Sequence, residues 1–146
     1  MGLHLVILVS HSKTKRKMEF EKTNYDLEDR LIAFACLCLE VCDILPNTKA
    51  GQILEHRLTK SGTSSALNYG EVQGAESRAD FLHKMRTVLK ELKESRVNLK
   101  IIKKKPVVVH AKVDEALKES GELIAIFLTS IATAKKNAVS TKRQLP

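Results

Sequence analysis

Four stretches of this chain place apolar residues at alternating steps of four and three positions, and this spacing constrains the fold more than any other feature. Residues spaced in this way share one face of an α-helix, and such a face is stable only when another helix covers it. The predicted core positions are Leu27, Leu31, Phe34, Cys38, Val41 and Leu45; Leu54, Leu58, Ser61, Ser65, Asn68 and Val72; Phe81, Met85, Val88, Leu92, Ser95, Leu99 and Ile102; and Val113, Leu117, Ser120, Ile124, Phe127, Ile131 and Ala134.

Start and stop signals divide these stretches into separate helices. Pro46 and Pro106 interrupt the pattern, Asn47 or Thr48 can cap the second helix, and Ser77 with Asp80 forms an S-x-x-D capping box before the third. The predicted helices are 25–45 (with a capping box from Thr23 and Asp26), 48–74, a third ending before Pro106, and 111–137. Short connections between long amphipathic helices predict an all-α, antiparallel, up-down-up-down four-helix bundle.

The predicted domain is a single bundle over residues 23–138. Residues 1–22 are predicted to be a disordered or spurious N-terminal extension, because residues 1–17 carry four basic residues, no acid and no regular pattern. Residues 139–146 are predicted to be a basic tail. No apolar run reaches the roughly 18–20 residues that span a bilayer, so we expect a cytoplasmic protein with no membrane partner.

The second helix carries small polar residues where apolar ones are normal. Ser61, Ser65 and Asn68 occupy core positions, although buried polar groups need hydrogen-bond partners. Two interpretations remain open: a structural stripe that bonds helices together and lets them approach closely, or a stripe that binds a ligand. The predicted stripe comprises Arg57, Lys60, Ser61, Ser64, Asn68 and Glu71.

The net charge of +8 is concentrated in the third helix and near the two ends. Basic residues recur at helical spacing in the third helix, which suits the phosphates of nucleic acid. No aromatic residue is interleaved with them, so base stacking is not expected. The alternative is a solvated face that keeps the protein soluble. The predicted contact residues are Arg86, Lys90, Lys93, Arg96, Lys100 and Lys103.

No arrangement of residues in the sequence indicates catalysis. Ser64 lies in a serine-rich run that lacks the strand-turn-helix setting of a nucleophile, and Asp80 with His83 is more simply a capping pair than an acid–base dyad. The three cysteines, Cys36, Cys38 and Cys42, share one helix with no further ligand nearby. We therefore expect a protein that is not an enzyme and that has neither a metal site nor a cofactor.

The apolar stretch 31–39 indicates that the first helix is covered on more than one side. In a chain of 146 residues the internal core covers only one face of each helix, so we expect a partner subunit on another face. The sequence thus predicts a homo-oligomeric bundle.

Residues 57–94 resemble a known family. The matching residues are Arg57-Leu58-Thr59-Lys60-Ser61-Gly62-Thr63-Ser64, Asn68, Glu71, Gly74-Ala75-Glu76-Ser77-Arg78-Ala79-Asp80-Phe81-Leu82-His83-Lys84, Leu89-Lys90-Glu91 and Glu94, with Leu45-Pro46, Glu122-Leu123 and Lys135-Lys136 as context. The chain resembles the bacterial four-helix-bundle family first noticed as products of intervening sequences in large-subunit ribosomal RNA genes. The likeness covers roughly residues 26–137.

The resemblance implies an up-down bundle that assembles into a homopentamer. The accessory protein of diversity-generating retroelements is similar in fold and oligomer, and it partners a reverse transcriptase and RNA. The resemblance therefore implies RNA or a nucleic-acid-processing protein as partner, with a purely structural bundle as the alternative. The chain departs from the family pattern by carrying Arg57, Lys60, Val97 and Asn98, where Gln, Arg and aromatic residues are common.

The N-terminal extension gives the first prediction. A chain that begins at Met18 should have the melting temperature of the full chain, because no predicted core position lies before residue 27. Thermal unfolding followed by circular dichroism measures this, and a fall of several degrees in the shortened chain would place residues 1–17 inside the fold.

Overall fold

The structure is a computed structural model that describes residue 15 and residues 26–143. By compactness the chain divides into two units, Met1–Arg30 and Leu31–Pro146. The helices are α1 (residues 26–43), α2 (Lys49–Gly70), α3 (Arg78–Lys104) and α4 (Ala111–Arg143), with a single 3₁₀ turn at Val72–Gly74. Residues 26–143 contain no strand. Among the described residues, no helix has both the length and the apolar character needed to cross a bilayer.

The four helices form the predicted antiparallel bundle. The contacts between α1 and α2, and those between α3 and α4, show that the two helices of each pair run in opposite directions, since residues later in one helix contact residues earlier in the other. The pairs in contact are Cys38 with Gly62, Cys42 with Thr59, Arg96 with Ser120, and Lys103 with Asp114. α2 packs along α3 after a short turn, and Glu40 of α1 pairs with Lys112 of α4 at 3.2 Å. This last contact places α4 beside α1.

The predicted start signals operate as side-chain caps. Thr48 Oγ1 accepts a hydrogen bond from the backbone N–H of Gly51 at 3.1 Å, and Ser77 Oγ accepts one from Asp80 at 3.0 Å. Each cap satisfies one of the N–H groups that a helix N-terminus leaves without an intrahelical partner. The predicted cap at Thr23 lies outside the described residues, as do nearly all of residues 1–22.

The core follows the predicted 4-3 spacing through most of the first three helices. The predicted core positions Leu27, Leu45, Asn68 and Phe81 are only half-buried, and Tyr69 is buried in place of Asn68. The largest fully buried side chains of the core include Phe34, Leu58, Leu92 and Phe127. The rings of Tyr69 and Phe127 meet edge-to-face with centroids 5.8 Å apart, which joins α2 to α4. No buried side-chain nitrogen or oxygen in the described part of the chain lacks a hydrogen-bond partner.

The buried face of α4 differs from the predicted face by a small rotation. Leu117 and Ile124 are only half-buried, whereas Ala116 and Leu123 are buried beside Ser120 and Phe127. Both sets of residues have helical spacing, so the sequence pattern does not separate them.

α4 also continues to Arg143, past the predicted end near 137, so the predicted bundle boundary at 138 falls inside this helix.

Close contact between α1 and α2 depends on Gly62. A Cβ atom at this position would lie 2.8 Å from Cys38 Cβ and 3.0 Å from Cys38 Sγ, both shorter than van der Waals contact allows. Cys38 is fully buried, so its Cβ has no space to retreat into. The small residues of α2 therefore set the distance between the two helices here.

We predict that Gly62→Ala destabilises the bundle. Alanine favours the helix by about 1 kcal/mol over glycine, but overpacking a core costs about 1–3 kcal/mol, so the net effect should be a lower free energy of unfolding. Urea denaturation measures it. Gly74→Ala is the control, since a Cβ there meets nothing within 4 Å. Equal or greater stability in the Gly62 variant would contradict the close-packing account.

Candidate nucleic-acid interface

The predicted contact residues all lie on α3, but the structure gives them two different environments. Arg86, Lys90, Lys93 and Lys100 are exposed. Arg86, Lys93 and Lys100 are seven residues apart, so they form a nearly straight row with steps of about 10.5 Å along the helix. These four cations are available to a ligand in solution.

Arg96 contributes to the bundle itself. Its side chain is half-buried, and Nη1 donates to the carbonyl oxygen of Leu117 and to Ser120 Oγ, the latter at 3.1 Å. A Cβ at Gly121 would lie 2.8 Å from this same Nη1, so the glycine leaves the space that the guanidinium fills. Arg96 thus joins α3 to α4, and we leave it out of the proposed contact set.

Lys103 is also engaged with α4. Its ammonium forms an ion pair with Asp114, and both side chains are more than half exposed. An exposed pair of this kind contributes little to stability, but it places a carboxylate beside the cation and weakens its attraction for phosphate. The basic row therefore ends at Lys100.

A groove between α3 and α4 runs beside the row. Its volume is about 450 Å³, and it is lined by Lys93, Arg96, Val97, Lys100, Gly121 and Ile124. The space above Gly121 is filled by the Arg96 guanidinium, and the exposed Val97 adds an apolar edge to the groove. The sequence pattern does not assign Gly121 to a site; its only signal is a glycine in the middle of a long helix, where glycine is unfavourable.

A second groove, between α1 and α4, has the opposite charge. It measures about 510 Å³ and is lined by Ala33, Phe34, Cys36, Leu37, Glu40, Glu115, Lys118, Glu119 and Glu122. Four carboxylates and one ammonium repel a polyanion. Of the two grooves, only that between α3 and α4 has a charge that suits phosphates.

The predicted polar stripe of α2 separates into an inner and an outer part. Ser61 is fully buried, and its hydroxyl is hydrogen-bonded to that of Ser95 in α3 at 2.9 Å. Ser64 and Asn68 are half-buried, whereas Arg57, Lys60 and Glu71 are exposed. The inner part, with Ser65 bonded to the carbonyl oxygen of Gly62 at 2.7 Å, belongs to the core. The outer part faces away from it.

Asp80 has structural partners at the start of α3. Its Oδ2 accepts hydrogen bonds from Lys84 Nζ at 2.9 Å and from the backbone N–H of Glu76 at 3.1 Å. The bond from Lys84, followed by that from Glu76, lowers the pKa of the Asp80 carboxyl. A carboxylate stabilised in its ionised form near a helix N-terminus is suited to capping and poorly suited to accepting protons from His83.

The cysteines differ in exposure. Cys36 is exposed, whereas Cys38 and Cys42 are buried. Burial raises the pKa of both buried thiols, and Cys42 also accepts a hydrogen bond from Thr59 at 3.4 Å and donates to the carbonyl oxygen of Glu55. Protonated, buried thiols fill space and bind metal poorly. The described residues contain no cluster of three or more potential metal ligands.

Comparison with known proteins supports the fold. No protein-family model matches this sequence, and no curated protein does either. The crystal structure of a protein of unknown function from the S23 ribosomal protein family of Bacteroides thetaiotaomicron superposes with a TM-score of 0.68. The two sequences are 24% identical, and the match covers 75% of this chain and 97% of the other. This likeness is one of fold.

We predict that Arg96→Ala lowers the free energy of unfolding by roughly 1–3 kcal/mol, because hydrogen bonds from a charged donor are lost between α3 and α4. Arg96→Lys should lose most of the same stability, since an ammonium lacks the planar fork. Lys93→Ala, at an exposed position one turn earlier, is the control. Equal losses in urea denaturation for Arg96→Ala and Lys93→Ala would show that Arg96 does not stabilise the bundle.

Proposed function

We propose that this protein is a non-enzymatic, homo-oligomeric helical bundle that binds RNA or a nucleic-acid-processing protein through the basic surface at the groove between α3 and α4. The observation that carries the proposal is the exposed basic row beside an open groove. Arg86, Lys90, Lys93 and Lys100 supply the cations, and Lys93 and Lys100 also line the groove. Arg96 joins α3 to α4 at the groove through its hydrogen bonds to Leu117 and Ser120.

The chemistry of the groove favours phosphate over base. Lysine and arginine act on phosphates mainly as charges, so binding should depend strongly on salt and weakly on sequence. The groove carries no aromatic side chain on which a base could stack, given the six residues that line it. A backbone-directed contact of this kind suits a scaffold that holds RNA for another protein.

Self-association is supported by apolar residues that the single chain leaves exposed. They lie on several helices and include Ile32 and Leu39 of α1 and Ile53 and Leu67 of α2. Ile32 and Leu39 are seven residues apart and so lie on the same side of α1, and apolar residues grouped on an exposed helix face favour contact with another protein surface. The sequence resemblance implies five copies, and the mass of the purified protein tests that number.

The decisive experiment compares two doubly substituted proteins in RNA binding over a salt series. Lys93→Glu with Lys100→Glu should weaken binding and reduce the slope of log K against log salt by about 1.5, because two phosphate contacts are lost at roughly 0.7–0.9 each. The probe is a single-stranded RNA of mixed sequence, and fluorescence anisotropy gives the affinity.

The matched control is Lys49→Glu with Lys105→Glu, which changes the net charge equally at exposed positions outside the groove. It should leave the slope nearly unchanged. If both pairs weaken binding to the same extent, the attraction is a property of the total charge and the groove is not the site. If the unsubstituted protein does not bind RNA near physiological salt, the alternative of a purely structural or protein-interaction bundle takes its place.

A further inference from the structure

The outward side of α1 carries a row of residues that the core does not use. Ile32, Cys36, Leu39 and Asp43 are four, three and four positions apart, so they share one side of the helix, and we call them the α1 row. All four are exposed, Ile32 by 48% and Leu39 by 39%. Apolar residues at this spacing on an exposed helix side are typical of packing against a further helix.

A second row of this kind lies on α2. Arg57, Lys60, Ser64 and Leu67 are three, four and three positions apart, and we call them the α2 row. Leu67 is 71% exposed, both cations are exposed, and Ser64 is half-buried. The α2 row is basic at the end where the α1 row is acidic. Neither Asp43 nor Arg57 has an ion-pair partner among the described residues.

A contact inside the bundle fixes the heights of the two rows along the helix axes. Cys38 lies against Gly62, and α1 and α2 run in opposite directions. Five positions forward from Cys38 is Asp43, and five positions back from Gly62 is Arg57, so the acid and the cation have the same height. In the same register, the small residues of both rows share the middle height and their apolar ends coincide.

This register carries over to a neighbouring copy in a ring. Rotation about an axis parallel to the helices leaves every residue at its own height, so the next copy presents its α2 row antiparallel to the α1 row and level with it. α1 and α2 occupy neighbouring corners of the bundle, and such corners point about 90° apart. Contact faces about 90° apart close a ring of four copies, and faces about 108° apart close a ring of five.

We propose that the α1 row binds the α2 row of a second copy of this chain, and that this contact, repeated from copy to copy, closes a ring. Asp43 pairs with Arg57 of the partner subunit. Cys36 meets Ser64 of the partner subunit, and these small side chains let the helix axes approach to about 8–10 Å.

Apolar contact supplies the rest of the interface. Ile32 packs on the partner's Leu67, and Leu39 covers the aliphatic stem of the partner's Lys60. The single chain leaves these apolar side chains exposed, so covering them in the ring is favourable. The charges fix the orientation, because reversing the direction of the second helix would set Asp43 against an apolar side chain.

This interface rests on the homo-oligomer of the proposed function and names the two surfaces that build it. The contact is heterologous, since each copy gives its α1 row to one neighbour and its α2 row to the other. It is compatible with the five copies that the sequence resemblance implies. The basic groove lies between α3 and α4, which contribute to neither row, so assembly through the rows does not occupy it.

Thiol cross-linking tests the contact, because Cys36 is exposed and the position opposite it can be made a cysteine. The full chain with Ser64→Cys, treated with a short bis-maleimide, should give a ladder of covalent oligomers on a denaturing gel, and the last band gives the number of copies in the ring. A contact between two like surfaces would give dimers only, and a link within one chain would give monomers. Either of these results, or a ladder without an upper limit, would overturn the ring.

Two controls make the ladder specific. The unsubstituted protein keeps Cys36 alone, and Glu55→Cys adds a thiol at an exposed position of α2 outside the α2 row. Both should run mainly as monomers after treatment. A Glu55→Cys ladder as strong as that of Ser64→Cys would contradict the proposed contact.

Charge exchange tests the ion pair without a cross-linker. Asp43→Arg or Arg57→Asp alone should weaken self-association by about tenfold or more, because each places like charges opposite one another at every contact of the ring. The double variant should restore association. Sedimentation equilibrium measures association, and circular dichroism confirms folding. Single variants with unchanged association, or a double variant no better than the singles, would overturn the pairing.

Failure of this interface is distinct from failure of the proposed function. An oligomeric unsubstituted protein whose Ser64→Cys variant gives no ladder would overturn the interface and leave the homo-oligomer intact. A monomeric unsubstituted protein would overturn both. RNA affinity is decided separately by the groove variants.

Discussion

The spacing between helices at the middle of the bundle is the constraint on which the rest of the structure depends. Gly62 lets α1 approach α2 so closely that a methyl group would collide with Cys38. At a similar level, Ser61 and Ser95 bond α2 to α3 through their hydroxyl groups. Small residues at these contacts bring the helices together, and the hydroxyl pair satisfies the polar groups that burial removes from water.

The contact between α3 and α4 at this level has a different chemistry. There the small residue is Gly121, and the space it leaves is filled by the guanidinium of Arg96 from the neighbouring helix. Ser95 and Arg96 are adjacent in sequence and so lie about 100° apart around α3, which directs Ser95 towards α2 and Arg96 towards α4. Two consecutive residues thus fix α3 against both neighbours, and the basic face of α3 takes its orientation from them.

The candidate interface follows from that orientation. Because Arg96 is directed into the α3–α4 contact, the cations left on the surface form a row beside the groove and not a continuous belt around the helix. The two grooves of the bundle differ in charge, since acidic residues dominate the one between α1 and α4. The groove between α3 and α4 is therefore the one whose charge is complementary to phosphate.

The sequence by itself determined the helices, the bundle and most of the core, because the 4-3 spacing and the capping residues Thr48 and Ser77 act locally. It did not determine which face of α4 is buried, since Leu117 with Ile124 and Ala116 with Leu123 have equally good helical spacing and differ only by a small rotation of the helix. Only the tertiary structure decided which cations are available: Arg96 and Lys100 are alike in a helical projection, but a glycine on another helix gives Arg96 a place inside the bundle. Such contacts join residues more than twenty positions apart in the sequence, so the spacing of residues within one helix does not predict them.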